Sequence, residues 1–85
     1  MTGKDIREAR AKLGAMRGLN RPLRASELGR LLRLKGRDPG ESILDWERGK
    51  PITGPASVAI EALLAGYWPA HADEAVKSIN LAIDP

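Results

Sequence analysis

The sequence predicts an all-α fold of five short helices, on three observations. Apolar residues recur at three- and four-residue spacing along most of the chain. Strand signals are nearly absent, since phenylalanine is missing and β-branched residues are scattered rather than alternating. Nine glycines and six prolines among 85 residues punctuate the periodic segments.

The first helix opens with Thr2, a good cap, and Asp5 follows three residues on. Ile6, Ala9, Leu13 and Met16 recur at helical spacing behind it. Gly18 to Pro22 is a loop by composition. The second helix is expected over about Ala25 to Leu34, with Leu28, Leu31 and Leu32 on one face. Leu23, just before it, suits a hydrophobic staple. Lys35-Gly36-Arg37 reads as a turn. Asp38 then offers an N-cap and Pro39 a first helical residue, so a third helix is expected from Pro39 to Arg48. Ile43 and Trp46 would point inward, and Gly49 and Pro51 would stop it. The fourth helix begins near Thr53, with Pro55 in its first turn, an apolar face of Ala59, Ile60, Leu63 and Leu64, and Gly66 as its end. The last runs over about Ala72 to Ile83, with Val76, Ile79 and Ile83 on one stripe.

Composition narrows the function. A chain of 9.2 kDa makes one domain, 1–85. Without cysteine there is no disulfide scaffold, thiolate zinc site or thiol nucleophile, and one histidine does not build a His-rich metal site. No apolar run approaches a membrane span, and MTGKDIREAR is not a signal peptide, so a soluble cytoplasmic domain is expected. The net charge of +3 is unevenly spread. Residues 1–37 carry eleven basic groups against three acids, +8, and residues 38–85 three against eight, −5. One side of the molecule therefore favours an anionic partner.

Two short helices joined by a glycine-containing turn, with basic residues around it, outline a helix-turn-helix. Arg30, Arg33, Lys35 and Arg37 precede the candidate recognition helix, and Arg48 and Lys50 follow it. Such a helix presents its first turn to base edges in the major groove while nearby cations grip phosphates.

Three pieces carry a resemblance to a known family: ARAKLG at 9–14, ELGRLL at 27–32 and ILDWERG at 43–49. Together with GPASVAIEALLAG, they make residues 3–66 resemble the Cro/phage-repressor-type (XRE) helix-turn-helix regulators. LRLKGRDPGES also resembles small regulators encoded by proteobacterial mobile elements. The turn between the two helices is about four residues longer than is usual for the motif, and Arg24 stands where the family prefers Ser or Thr. The resemblance implies an ion pair between Arg10 and Glu47, with Trp46 in the core. It implies a DNA-facing set of Arg24, Ser26, Arg33, Lys35, Arg37, Gly40, Glu41, Ser42, Asp45, Arg48 and Lys50. Gly40, Glu41 and Ser42 would lie on the first exposed turn of the recognition helix.

The expectation is thus a sequence-specific, double-stranded-DNA-binding repressor acting as a homodimer on an inverted repeat, with Tyr67, Trp68, Val76, Ile79 and Ile83 at the dimer interface. The C-terminal stripe also suits packing on the first helix. The alternative is a protein-interaction module, antiactivator- or antitoxin-like, that keeps the fold without binding DNA; the acids Glu41, Asp45 and Glu47 motivate it. No enzyme, cofactor, metal, membrane or small-molecule ligand is expected. GRDPGES lacks a Walker lysine, Ser57 has no base nearby in sequence, and His71 reads as a cap or surface residue.

Overall fold

A computed structural model describes the backbone of residues 1–81 and the side chains of residues 1–76. Among these residues the regular structure is all helical: α1 (Gly3–Met16), α2 (Ala25–Leu31), α3 (Gly40–Glu47), α4 (Gly54–Leu64) and α5 (Ala72–Leu81). α2 packs most extensively on α3, α5 rests on α2, and α1 lies across α3 and α4.

Each helix starts where the local chemistry allows. Thr2 and Asp5 form a reciprocal box at the head of α1: the Asp5 N–H donates to the Thr2 hydroxyl and the Thr2 N–H to the Asp5 carboxylate. That N–H, aided by the Thr2 side chain, holds the Asp5 carboxyl below its ordinary range. Thr53 caps α4 by accepting from the Ala56 N–H. The start of α3 differs by one residue from expectation. Asp38 does accept a hydrogen bond, from the Gly40 N–H at 2.9 Å, but the helix begins at Gly40, after Pro39.

Four helices end in one pattern. After α1, α2, α3 and α4, two backbone N–H groups beyond the helix fold back on its last carbonyls, and the residue between them takes a positive φ. At three of these ends that residue is glycine: Gly18, Gly49 and Gly66. At the end of α2 it is Arg33, with φ 57°. α2 therefore stops at Leu31 rather than running to Leu34. Arg33 donates its N–H to the Arg30 carbonyl and Leu34 donates to that of Gly29, both at 3.0 Å. A side chain in this region costs about 1–2 kcal/mol.

The core joins Ile6, Ala9 and Leu13 of α1 to Leu23, Leu28, Leu31, Ile43, Trp46, Ile60 and Leu63. Leu23 and Leu28, at the positions of a staple around the α2 cap, are both fully buried. Met16, expected on the inner face of α1, is exposed at the last turn of that helix. Ala72, Ala75 and Val76 of α5 enter the same core against α2. Among the described residues α5 packs on α2, and Arg17, just after α1, pairs with Asp73.

The core also contains charge. Glu27 is fully buried. Its carboxylate takes Arg21 Nη1 at 2.7 Å and Nη2 at 3.1 Å, and the Arg24 N–H at 2.7 Å. The hydrogen bond to Glu27 pushes the Arg21 guanidinium further up from its already high ordinary value. The pairing makes burial of Glu27 tolerable, since an isolated carboxylate there would be strongly destabilising.

Candidate nucleic-acid interface

α2 and α3 approach so closely that side chains are excluded at two points. A β-carbon on Gly29 would collide with the Pro39 carbonyl, and one on Gly40 would stand 2.7 Å from the Ser26 backbone nitrogen. Each helix therefore offers the other a glycine, and the start of α3 is seated against the first turn of α2. Gly40 is consequently buried, which corrects its expected place on an exposed first turn. Ser26, beneath it, is half-buried.

The other end of α3 is gripped by α1. Arg10 forks onto Glu47, Nε to Oε2 at 2.7 Å and Nη2 to Oε1 at 2.9 Å, with both side chains largely buried. Its remaining nitrogen, Nη1, donates to the Leu23 carbonyl, and Arg7 donates to the Glu47 carbonyl. Gly3 lies against the same carbonyl, where a β-carbon would not fit. The expected Arg10–Glu47 pair is therefore present, and it joins three segments: α1, the 23–24 approach to α2, and the end of α3.

With both ends fixed, α3 turns Ile43 and Trp46 inward. Its outer surface carries Glu41, Leu44 and Arg48, all exposed, with Ser42 and Asp45 half-buried beside them. Arg48 Nη1 donates to Asp45 Oδ1 at 3.0 Å, an exposed pair of small energetic worth. Lys35 and Arg37, before the helix, and Lys50, after it, are exposed. Arg24 is half-buried at the head of α2, where its N–H donates to Glu27. The outer surface of α3 is thus acidic at its centre and basic in the flanking segments.

Arg33 is placed differently from the other expected cations. Arg30, Arg33, Leu34 and Pro39 on one side, and His71, Glu74 and Ala75 on the other, line an open cleft of about 480 Å³. Within it Arg33 Nη2 lies 3.1 Å from His71 Nδ1, and His71 Nε2 lies 2.9 Å from the Arg30 carbonyl. His71 therefore makes two specific bonds, where composition suggested only a cap or surface residue.

The expected dimer residues divide. Val76 is buried in the core of its own chain, so it does not lie on an interface. The packing of α5 on α2 has used that part of the stripe. Trp68 is half-buried, packed against the same core, with the Arg17 guanidinium 5.0 Å from its ring centroid. Tyr67 is 76% exposed and stands at an apolar groove walled by Leu31, Leu32, Ala59, Ala62 and Trp68. The side chain of Ile79 and all of Ile83 lie outside the described residues.

Two features were missed in the sequence. At Glu27 only the bond from the Arg24 N–H had a signal, because a glutamate at the third position of a helix regularly reaches back to the cap N–H, whereas the Arg21 pair had none. The His71–Arg33 contact, 38 residues apart in the chain, had none. No helix is long and apolar enough to cross a membrane, and no group of three or more potential metal ligands occurs among the described residues. Compared with family models, with curated proteins and with solved structures, the chain finds no match.

Proposed function

We propose that the chain is a helix-turn-helix DNA-binding regulator of transcription, with α2 and α3 as the motif and α3 as the helix entering the major groove. The observation that carries this reading is the seating of α3. One end is fixed on glycines and the other by Arg10, its apolar side is in the core, and exposed cations stand in both flanking segments. A rigid rod between cations is what groove insertion with phosphate contacts on either side requires. Lys35, Arg37, Lys50 and Arg48 are the phosphate contacts, and Glu41, Ser42 and Asp45 face base edges, where a carboxylate can accept from the cytosine amino group. Two copies read an inverted repeat, with the Tyr67 groove between them, and repress by occupying a promoter.

The test measures binding to duplex DNA, including the region upstream of the coding sequence, across a range of salt concentrations. Four phosphate contacts per subunit give a log–log salt slope of roughly −3 to −4 per subunit. Lys35→Glu with Arg37→Glu should weaken binding at least tenfold. Affinity that is absent, or flat in salt, would sink the reading.

One observation favours a second reading, the protein-interaction module. Glu41 and Asp45 flank the exposed Leu44 on the outer surface of α3, and the Asp38 carboxylate occupies the start of the helix. On that reading the same charge reversal leaves a negligible DNA affinity unchanged. Capture then depends on Leu44, and Leu44→Lys abolishes it.

A further inference from the structure

The bonding of His71 is determined by its two partners. The Arg30 carbonyl can only accept, so the nitrogen 2.9 Å away, Nε2, must carry the hydrogen. The Arg33 guanidinium can only donate, so Nδ1, 3.1 Å away, must offer its lone pair. Both bonds can exist together in one form only, the neutral imidazole with its hydrogen on Nε2. The same ring spans two elements, since His71 leads into α5 while Arg30 belongs to the last turn of α2 and Arg33 to the turn that closes it. Arg33 is also the one non-glycine residue with positive φ among the described residues, so the side chain held by His71 extends from a strained backbone.

We propose that His71 is a proton-sensitive latch that positions Arg33 and fastens α5 to the end of α2. A proton added at Nδ1 removes the acceptor and sets an imidazolium against a guanidinium. The charged groups facing the ring are Arg30 from α2, Arg33 from the turn after it and Glu74 from α5, which shares the cleft; Leu34 and Pro39 of the connecting segment are uncharged. Asp73, the next acid on α5, is engaged by Arg17. Glu74 is exposed and makes neither of the two bonds. The bonded form is the neutral one, and a proton on Nδ1 breaks the bond to Arg33. Stability therefore falls as pH drops from about 8 towards 5, the interval in which histidine changes charge. The latch itself does not depend on DNA binding.

The experiment has two parts. Nitrogen NMR of the His71 ring at pH 8 should show the Nε2–H tautomer; an Nδ1–H tautomer, or an unrestrained mixture of the two, overturns the proposal. Thermal unfolding is then followed at pH 8 and pH 5.5 in wild type, His71→Gln and Arg33→Gln. Wild type should melt roughly 5 °C lower at the acid pH, on the order of a tenfold change in the unfolding constant. His71→Gln cannot take up the proton and Arg33→Gln cannot repel it, so both should lose most of that difference. Both glutamines keep hydrogen-bonding capacity, so the variants remain folded at pH 8. An acid-induced drop of the same size in all three proteins would place its origin elsewhere and overturn the latch.

Discussion

α2 and α3 are nearly equal in length, seven and eight residues, and they end in the same backbone pattern, yet they are held by different means. α3 ends on Gly49, for which a positive φ carries no steric penalty, and its last residue, Glu47, is clamped from α1. α2 ends on Arg33, which pays that penalty, and it is tied at its head by a fully buried carboxylate and at its tail by His71. The outward-facing helix thus has a relaxed end and an external clamp, whereas the inner helix is strained and depends on polar contacts within its own surroundings. Short helices have little stability of their own, and which tertiary contacts supply it decides how each responds to change.

The largest expected effect breaks the head of α2. Arg21→Ala removes the forked guanidinium from the fully buried Glu27 carboxylate, and we expect a loss of about 3 kcal/mol in denaturant unfolding. A loss under 1 kcal/mol would mean that water reaches Glu27 readily. A middle-sized effect tests the end of α3. Gly49→Ala forces a side chain to φ 115° and should cost about 1–2 kcal/mol, by the same measurement. An unchanged midpoint would show that the end of α3 rearranges freely. The smallest effect sharpens the contrast at Arg33. Arg33→Gly relieves the backbone and should stabilise the domain by about 0.5–1 kcal/mol at pH 5.5. The gain should be smaller at pH 8, where the substitution also removes the bond to His71. A gain equal at the two pH values would deny that bond any energetic role.

The ends of α1, α3 and α4 were legible because each has its glycine in the sequence: Gly18, Gly49 and Gly66. The end of α2 was not, because Arg33 gives no local sign of a left-handed residue, and the apolar spacing of Leu28, Leu31 and Leu32 runs on towards Leu34. Trp46 was legible as core from its three-residue spacing to Ile43. The Arg10–Glu47 pair came from a resemblance of pattern, and its atoms are in place. Gly40 illustrates the opposite case. Its position next to Glu41 and Ser42 suggested an exposed first turn, but close approach to α2 buries it, and that distance is not written in the spacing of either helix.

From the amino acids alone follow the all-helical class, most helix boundaries, the core positions of Ile6, Leu13, Leu28, Ile43 and Ile60, and the uneven distribution of charge. These depend on interactions within a few residues or on simple sums, and such quantities can be read along a chain. The packing of α5 on α2, the loss of Val76 from any external face, the burial of Glu27 and the pairing of His71 with Arg33 were decided in three dimensions. Each requires groups distant in sequence or neighbouring backbones to meet at contact range, and a one-dimensional pattern of side-chain types carries no information about which of the possible meetings the folded chain selects.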